Sequence, residues 1–96
     1  MSPDNLKKLI KLRKNLDKLD NSLIRLIKKR TELVKKVLKL KKYKNQIVDR
    51  KRIKIILNQI RKKSVRNKID PMITNKIWKN MILAYIDYER RNFKKK

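Results

Sequence analysis

Apolar residues recur at alternating spacings of three and four along the first forty residues of the chain. One series contains Leu9, Leu12, Leu16, Leu19, Leu23, Leu26, Leu33, Val37 and Leu40. The apolar members of a neighbouring series are Ile10, Ile24, Ile27, Val34 and Leu38. This spacing places both series on one broad face of an α-helix. We therefore predict a first helix over residues 4–42.

The length of this helix favours a dimer. At about 1.5 Å per residue it would be about 60 Å long. A globule of 96 residues is not that wide. Because a single long helix cannot bury its own apolar face, a second copy of the chain is the simplest cover for it. The pattern therefore predicts a homodimer.

Two shorter helices follow a loop at residues 43–48. Asp49 is a typical N-cap, and we predict a second helix over residues 49–64. Its apolar face contains Ile53, Ile56, Leu57 and Ile60. A polar link is expected at residues 64–68. Asp70 followed by Pro71 then marks the start of a third helix, which we place at residues 70–93.

The third helix carries two apolar series side by side. The expected core series contains Ile73, Ile77, Met81, Ala84 and Tyr88, and its neighbour contains Trp78, Ile82, Tyr85 and Glu89. No alternation typical of a β-strand is present. We predict an all-α fold with a three-helix protomer, in a single domain over residues 1–96 that ends in a frayed tail of lysines.

Composition narrows the possible chemistry. The chain contains no Cys and no His, which excludes disulfides, thiolate metal sites and the commonest general base. We therefore expect no metal and no cofactor. No apolar run reaches the roughly 18 residues that cross a bilayer, and the N-terminus does not resemble a signal peptide. The expected location is the cytoplasm.

The net charge is extreme, since 32 basic and 8 acidic residues give +24. Such a charge attracts polyanions, and a non-enzymatic basic helical protein that binds nucleic acid is one alternative. However, Lys is spread over every predicted exposed face, and no recognition helix or aromatic stacking platform is evident. Lys, Ile and Asn are also abundant together, as in AT-rich coding sequence. Individual charged positions are therefore more informative than the total.

Three basic residues lie within the apolar series of the first helix. Arg30 interrupts the first series, either as a register device or as a cation that a ligand neutralises. Lys41 follows eleven residues later on the same side, about 16 Å along the axis. Arg13 lies about 25 Å before Arg30. It cannot reach the same small ligand within one chain, but it could do so from the other chain of an antiparallel dimer.

Glu89 continues an apolar series of the third helix. It is either a carboxylate paired with Arg90 or a Lys near the helix end, or a partly buried acid that keeps its proton and donates a hydrogen bond. The residue pattern alone leaves both interpretations open.

Taken in order, these residues resemble a known family over about residues 6–93. The set consists of Leu12-Arg13, Leu16-Asp17-Lys18-Leu19-Asp20, Lys29-Arg30-Thr31-Glu32-Leu33-Val34, Lys41, Asp49-Arg50-Lys51-Arg52, Ile69-Asp70-Pro71, Ile82 and Glu89. It is similar to the all-α, or type II, chorismate mutases. The resemblance implies three-helix protomers intertwined as a homodimer, with two active sites that each use both chains. It also implies conversion of chorismate to prephenate in phenylalanine and tyrosine biosynthesis, without a cofactor.

The resemblance also implies roles for four residues. Arg30, and Arg13 from the partner chain, match the arginines that bind the two carboxylates of the substrate, which suits the bidentate geometry of a guanidinium. Lys41 matches the lysine that contacts the ether oxygen of the breaking bond and a carboxylate. Glu89 matches the Gln-or-Glu position on the other side of that oxygen.

Four further positions complete the predicted site. Asp49 matches a residue near the ring hydroxyl, and Arg52 matches an arginine that supports a carboxylate site. Ile53 and Tyr85 depart from the family, which often has Glu and a small polar residue there. An apolar residue and a Tyr at these positions are familiar from the isochorismate-pyruvate lyases, which form salicylate on the same fold. The lyase is therefore a second alternative.

Overall fold

The computed structural model describes residues 1–95, and Lys96, the end of the predicted domain and tail, lies outside the described residues. Within residues 1–95 there are three α-helices: α1 at Pro3–Leu40, α2 at Arg50–Arg66 and α3 at Pro71–Asn92. A 3₁₀ turn at Lys44–Gln46 lies between α1 and α2. No β-strand occurs within residues 1–95. The prediction of an all-α, three-helix protomer is confirmed.

The chain divides into two compact units, Met1–Val34 and a second unit that begins at Lys35. The first unit consists almost entirely of α1, a helix without a buried residue. Leu12, Leu19 and Leu33, all from the first apolar series, expose 60%, 61% and 60% of their surface. The apolar face predicted from the sequence is therefore open to solvent in one chain.

The second unit contains the end of α1, the connecting segment, α2 and α3. α1 ends at Leu40, two residues earlier than predicted. The Lys41 amide bonds to the Leu38 carbonyl only three residues back, at 3.1 Å. The next two amides, of Lys42 and Tyr43, donate to the side-chain Oε1 of Gln46 at 2.8 and 2.9 Å. Because this oxygen takes amides that would otherwise continue the helix, the chain leaves the helical path here.

α2 and α3 pack against each other, and a buried polar contact joins them. Ser64, which the sequence placed in the link, lies inside α2 and is buried. Its hydroxyl donates to the Ile60 carbonyl at 2.6 Å and lies 2.6 Å from the Thr74 hydroxyl of α3. A small hydroxyl residue is tolerated here because its hydrogen bonds are satisfied inside the helix pair. The prediction that the second helix stops near Ser64 was wrong by two residues.

The turn between α2 and α3 closes without glycine. The Lys68 amide bonds to the Val65 carbonyl at 3.1 Å, and the Ile69 amide to the Ser64 carbonyl at 2.9 Å. These are the two bonds of a Schellman motif, and Lys68 adopts the left-handed φ of 57° that glycine usually occupies. α3 then starts as predicted, with the Asp70 carboxylate accepting from the Met72 amide at 2.9 Å and Pro71 in the first turn.

α3 buries the other of its two apolar series. The expected core series is largely exposed, with Ile73 at 55% and Ile77 at 50%. The neighbouring series, which runs from Trp78 to Glu89, is half-buried or buried throughout. Two adjacent series differ by only a fraction of a turn, so packing rather than spacing decides which one faces inward. Across the part of the chain that the structure describes, no helix is apolar and long enough to cross a membrane.

Candidate active site

The segment between α1 and α2 is anchored along its length. Ile47, at 4% exposure, is the one buried apolar residue among residues 1–95. Its amide bonds to the Lys44 carbonyl at 3.2 Å. Further on, the Asp49 carboxylate accepts from the Arg52 amide at 3.0 Å and caps α2, as predicted. The segment therefore has a fixed path beside the end of α3.

Lys41 and Glu89 form the central contact of this region. Nζ of Lys41 donates to Oε1 of Glu89 at 3.1 Å, and the two side chains expose only 18% and 8% of their surface. Such shielding from water strengthens the attraction between the two charges. A lysine ammonium has three donors, so two remain for a ligand after the bond to Glu89. The structure thus brings together two residues that lie 48 positions apart.

A cationic pocket of about 730 Å³ includes Lys41 in its wall. The other residues that line it are Gln46, Val48, Asp49, Arg50, Lys51 and Arg90. The volume is within the usual range for small-molecule sites. The pocket has four basic residues against one acid, and the carboxylate of that acid caps α2. It is therefore suited to a small anion with more than one negative group.

The remaining predicted site residues are distributed over all three helices. Arg13 is exposed and Arg30 is half-buried, and both belong to α1 within the first unit. Arg52 is exposed in the first turn of α2, followed by the half-buried Ile53. Tyr85 is half-buried on α3, one turn before the acid of the central pair. Contacts of these five residues with a substrate stay predictions.

Five residues of the pocket wall were not among the predicted site residues: Gln46, Val48, Arg50, Lys51 and Arg90. Arg50 and Lys51 directly follow the predicted cap of α2, and Arg90 directly follows Glu89. Their position next to predicted site residues was the only feature of the sequence that could have indicated them. Of the two partners that the sequence offers for a paired Glu89 carboxylate, Arg90 or a Lys, the structure has a lysine, Lys41. Gln46 and Val48 lie in the predicted loop and belong to none of the patterns considered, although the two amides that Gln46 accepts from lie only three and four residues before it.

The arrangement offers donors and positive charge. A shielded ammonium beside a carboxyl group can hold and stabilise an oxygen on which negative charge develops. The surrounding cations can orient an anionic ligand. Within the described residues, no group of three or more His, Cys, Asp and Glu side chains could hold a metal ion.

Comparison with known proteins gives one match. The family model described as Chorismate mutase type II matches residues 12–90 of the chain. The match includes parts of all three helices, every residue that lines the cationic pocket, and Glu89. No curated protein and no solved structure matches the chain.

Proposed function

The chain belongs to the type II chorismate mutase family, and we propose that the Lys41–Glu89 site catalyses the rearrangement of chorismate to prephenate. The activity of the family is that of an isomerase in the shikimate pathway. The observation that carries the assignment of the site is the 3.1 Å contact between these two shielded side chains beside a cationic pocket. We also propose that the enzyme acts in the cytoplasm.

The chemistry requires positioning and charge stabilisation only. Within one substrate molecule a C–O bond breaks while a C–C bond forms, so no nucleophile or general base is needed. Negative charge develops on the ether oxygen as its bond lengthens. Lys41 donates to this oxygen from one side, and the carboxyl group of Glu89, released from its ion pair with Lys41 and in its protonated form, donates from the other. A chain without His or Cys has all the groups that this step needs.

The carboxylates of chorismate require further cations. We propose that Arg30 binds one carboxylate, that Arg13 from a second copy of the chain binds the other, and that Arg52 supports a carboxylate site. Asp49 lies near the ring hydroxyl in this proposal. Support for the second copy comes from the solvent-exposed apolar face of α1, because an intertwined dimer would cover the leucines that one chain leaves open.

A product assay tests this function. Purified protein is expected to convert chorismate to prephenate and to form little salicylate or pyruvate from isochorismate. The matched family is that of the mutases, and no finding supports the lyase or the nucleic-acid-binding alternative. Efficient release of salicylate and pyruvate would instead show that the protein is a lyase, as Ile53 and Tyr85 suggest, despite the family match. Turnover of neither substrate would refute the proposed activity.

Substitution tests the role of Glu89. In the free protein its carboxylate accepts from Lys41, whereas the proposed reaction requires this side chain to donate to the ether oxygen. Glutamine donates through its amide, so Glu89→Gln should retain kcat/KM for chorismate, and Glu89→Leu, which has no donor, should lower it. Steady-state kinetics of the two variants provides the measurement. An equal loss in both variants would contradict this role.

A further inference from the structure

We propose that Gln46 is a positioning residue for catalysis, which holds Lys41 against Glu89 through the backbone of the intervening segment. This inference rests on the proposed function of the Lys41–Glu89 site. It starts from two hydrogen bonds: Oε1 of Gln46 accepts from the amides of Lys42 and Tyr43, at 2.8 and 2.9 Å. The residue is thus bound to the two positions that directly follow the catalytic lysine.

The position of Lys41 depends on where α1 ends. Its amide takes the Leu38 carbonyl, three residues back, which tightens the last turn. If the helix continued, the amides of Lys42 and Tyr43 would bond to carbonyls four residues before them. Gln46 supplies a competing acceptor for both amides. The direction in which the Lys41 side chain leaves the backbone therefore depends on this one oxygen.

Gln46 is itself held in place. Its backbone amide donates to the Tyr43 carbonyl at 3.0 Å, while its side-chain oxygen accepts from the Tyr43 amide. Gln46 is therefore bonded to both backbone groups of the same residue. The next residue, Ile47, is buried and fixes the turn to the rest of the unit. Because the chain contains no glycine, the usual left-handed glycine that ends a helix is not available. Here the side-chain oxygen of Gln46 accepts the amides that directly follow Lys41 instead.

The consequence is measurable in turnover. The two amides are in an exposed segment, so water can replace Gln46 as their acceptor and global stability should change little. The segment between α1 and α2 would nevertheless adopt more conformations. The Lys41 ammonium would then spend less time within hydrogen-bonding distance of the reacting oxygen. We expect Gln46→Leu, which keeps the size but removes the acceptor, to lower kcat about tenfold. The KM for chorismate should stay within about twofold, because the other cations still bind the carboxylates.

Two further variants separate positioning from a merely structural effect. Gln46→Glu keeps an oxygen acceptor at the same distance along the side chain and should restore kcat to within about threefold of wild type. Gln59→Leu makes the same exchange at an exposed position of α2 and should leave kcat and KM unchanged. Amide hydrogen exchange provides a readout without substrate: the Lys42 and Tyr43 amides should be protected in the wild type and in Gln46→Glu, and unprotected in Gln46→Leu.

The outcomes distinguish this inference from the proposed function. Wild-type kcat in Gln46→Leu, or a Gln46→Glu variant as impaired as Gln46→Leu, would overturn the positioning role. Loss of kcat in Gln46→Leu with rescue by Gln46→Glu and matching amide protection would support it. Absence of mutase activity in the parent protein would instead refute the assignment of the whole site.

Discussion

Lys41→Met is expected to lower kcat/KM for chorismate by about 10²- to 10³-fold, the usual effect of removing one donor that stabilises a developing oxyanion. Methionine keeps the length and the apolar stem of the side chain and removes only the ammonium. The ammonium is shielded, with the side chain 18% exposed, so its charge is little screened by water. Steady-state kinetics with chorismate provides the measurement.

The neighbouring residue provides the matched control. Lys42→Met makes the same exchange one position later, at an exposed side chain, and should leave kcat/KM within about twofold of wild type. A comparable loss in both variants would indicate that the overall positive charge, rather than Lys41, attracts the substrate.

Stability must be separated from catalysis in this experiment. Lys41→Met leaves the buried Glu89 without its cation, which should cost about 1–3 kcal/mol of the free energy of unfolding. The double variant Lys41→Met/Glu89→Gln contains no unpaired charge and should regain most of that stability. Its activity should stay low, because the ammonium is still missing. A stable double variant with wild-type turnover would exclude the proposed role of Lys41.

Mixed dimers of Arg13→Ala and Lys41→Met are expected to regain activity that neither variant has alone. In the proposed dimer each site combines Arg13 of one chain with Lys41 of the other. One site of a mixed dimer then has both residues intact, and the other site lacks both. Random association of equal amounts makes about half of the dimers mixed, so the recovered activity should be about a quarter of wild type.

This experiment needs evidence of exchange and a negative control. The two variants are unfolded together and refolded, and sedimentation with differently tagged chains confirms that mixed dimers have formed. Mixing Lys41→Met with the double variant Arg13→Ala/Lys41→Met should recover nothing, since no site then contains Lys41. Verified mixed dimers without activity would place Arg13 in the site of its own chain. Wild-type activity in Arg13→Ala alone would place Arg13 outside the site, and a monomeric protein would refute the dimer.

The helices and their approximate ends could be predicted from the sequence, because helix formation depends on residues three and four apart. The caps at Asp49 and Asp70 involve only nearby backbone amides, so they were also predictable. Arg30, Lys41 and Glu89 were noticed because charged residues interrupt or continue apolar series. The resemblance to a family then gave each of them a role, and the match over residues 12–90 confirms that family.

Only the tertiary structure decided the rest. Ser64 lies inside α2, where its hydroxyl contacts Thr74 of another helix, ten residues further along the chain. The Lys41–Glu89 contact joins positions 48 residues apart. The spacing of apolar residues describes one helix at a time and carries no information on contacts between residues so far apart in the sequence. The packing of α2 on α3 and the anchored segment before α2 bring Lys41, rather than another lysine, to Glu89, which is the one buried acid within residues 1–95.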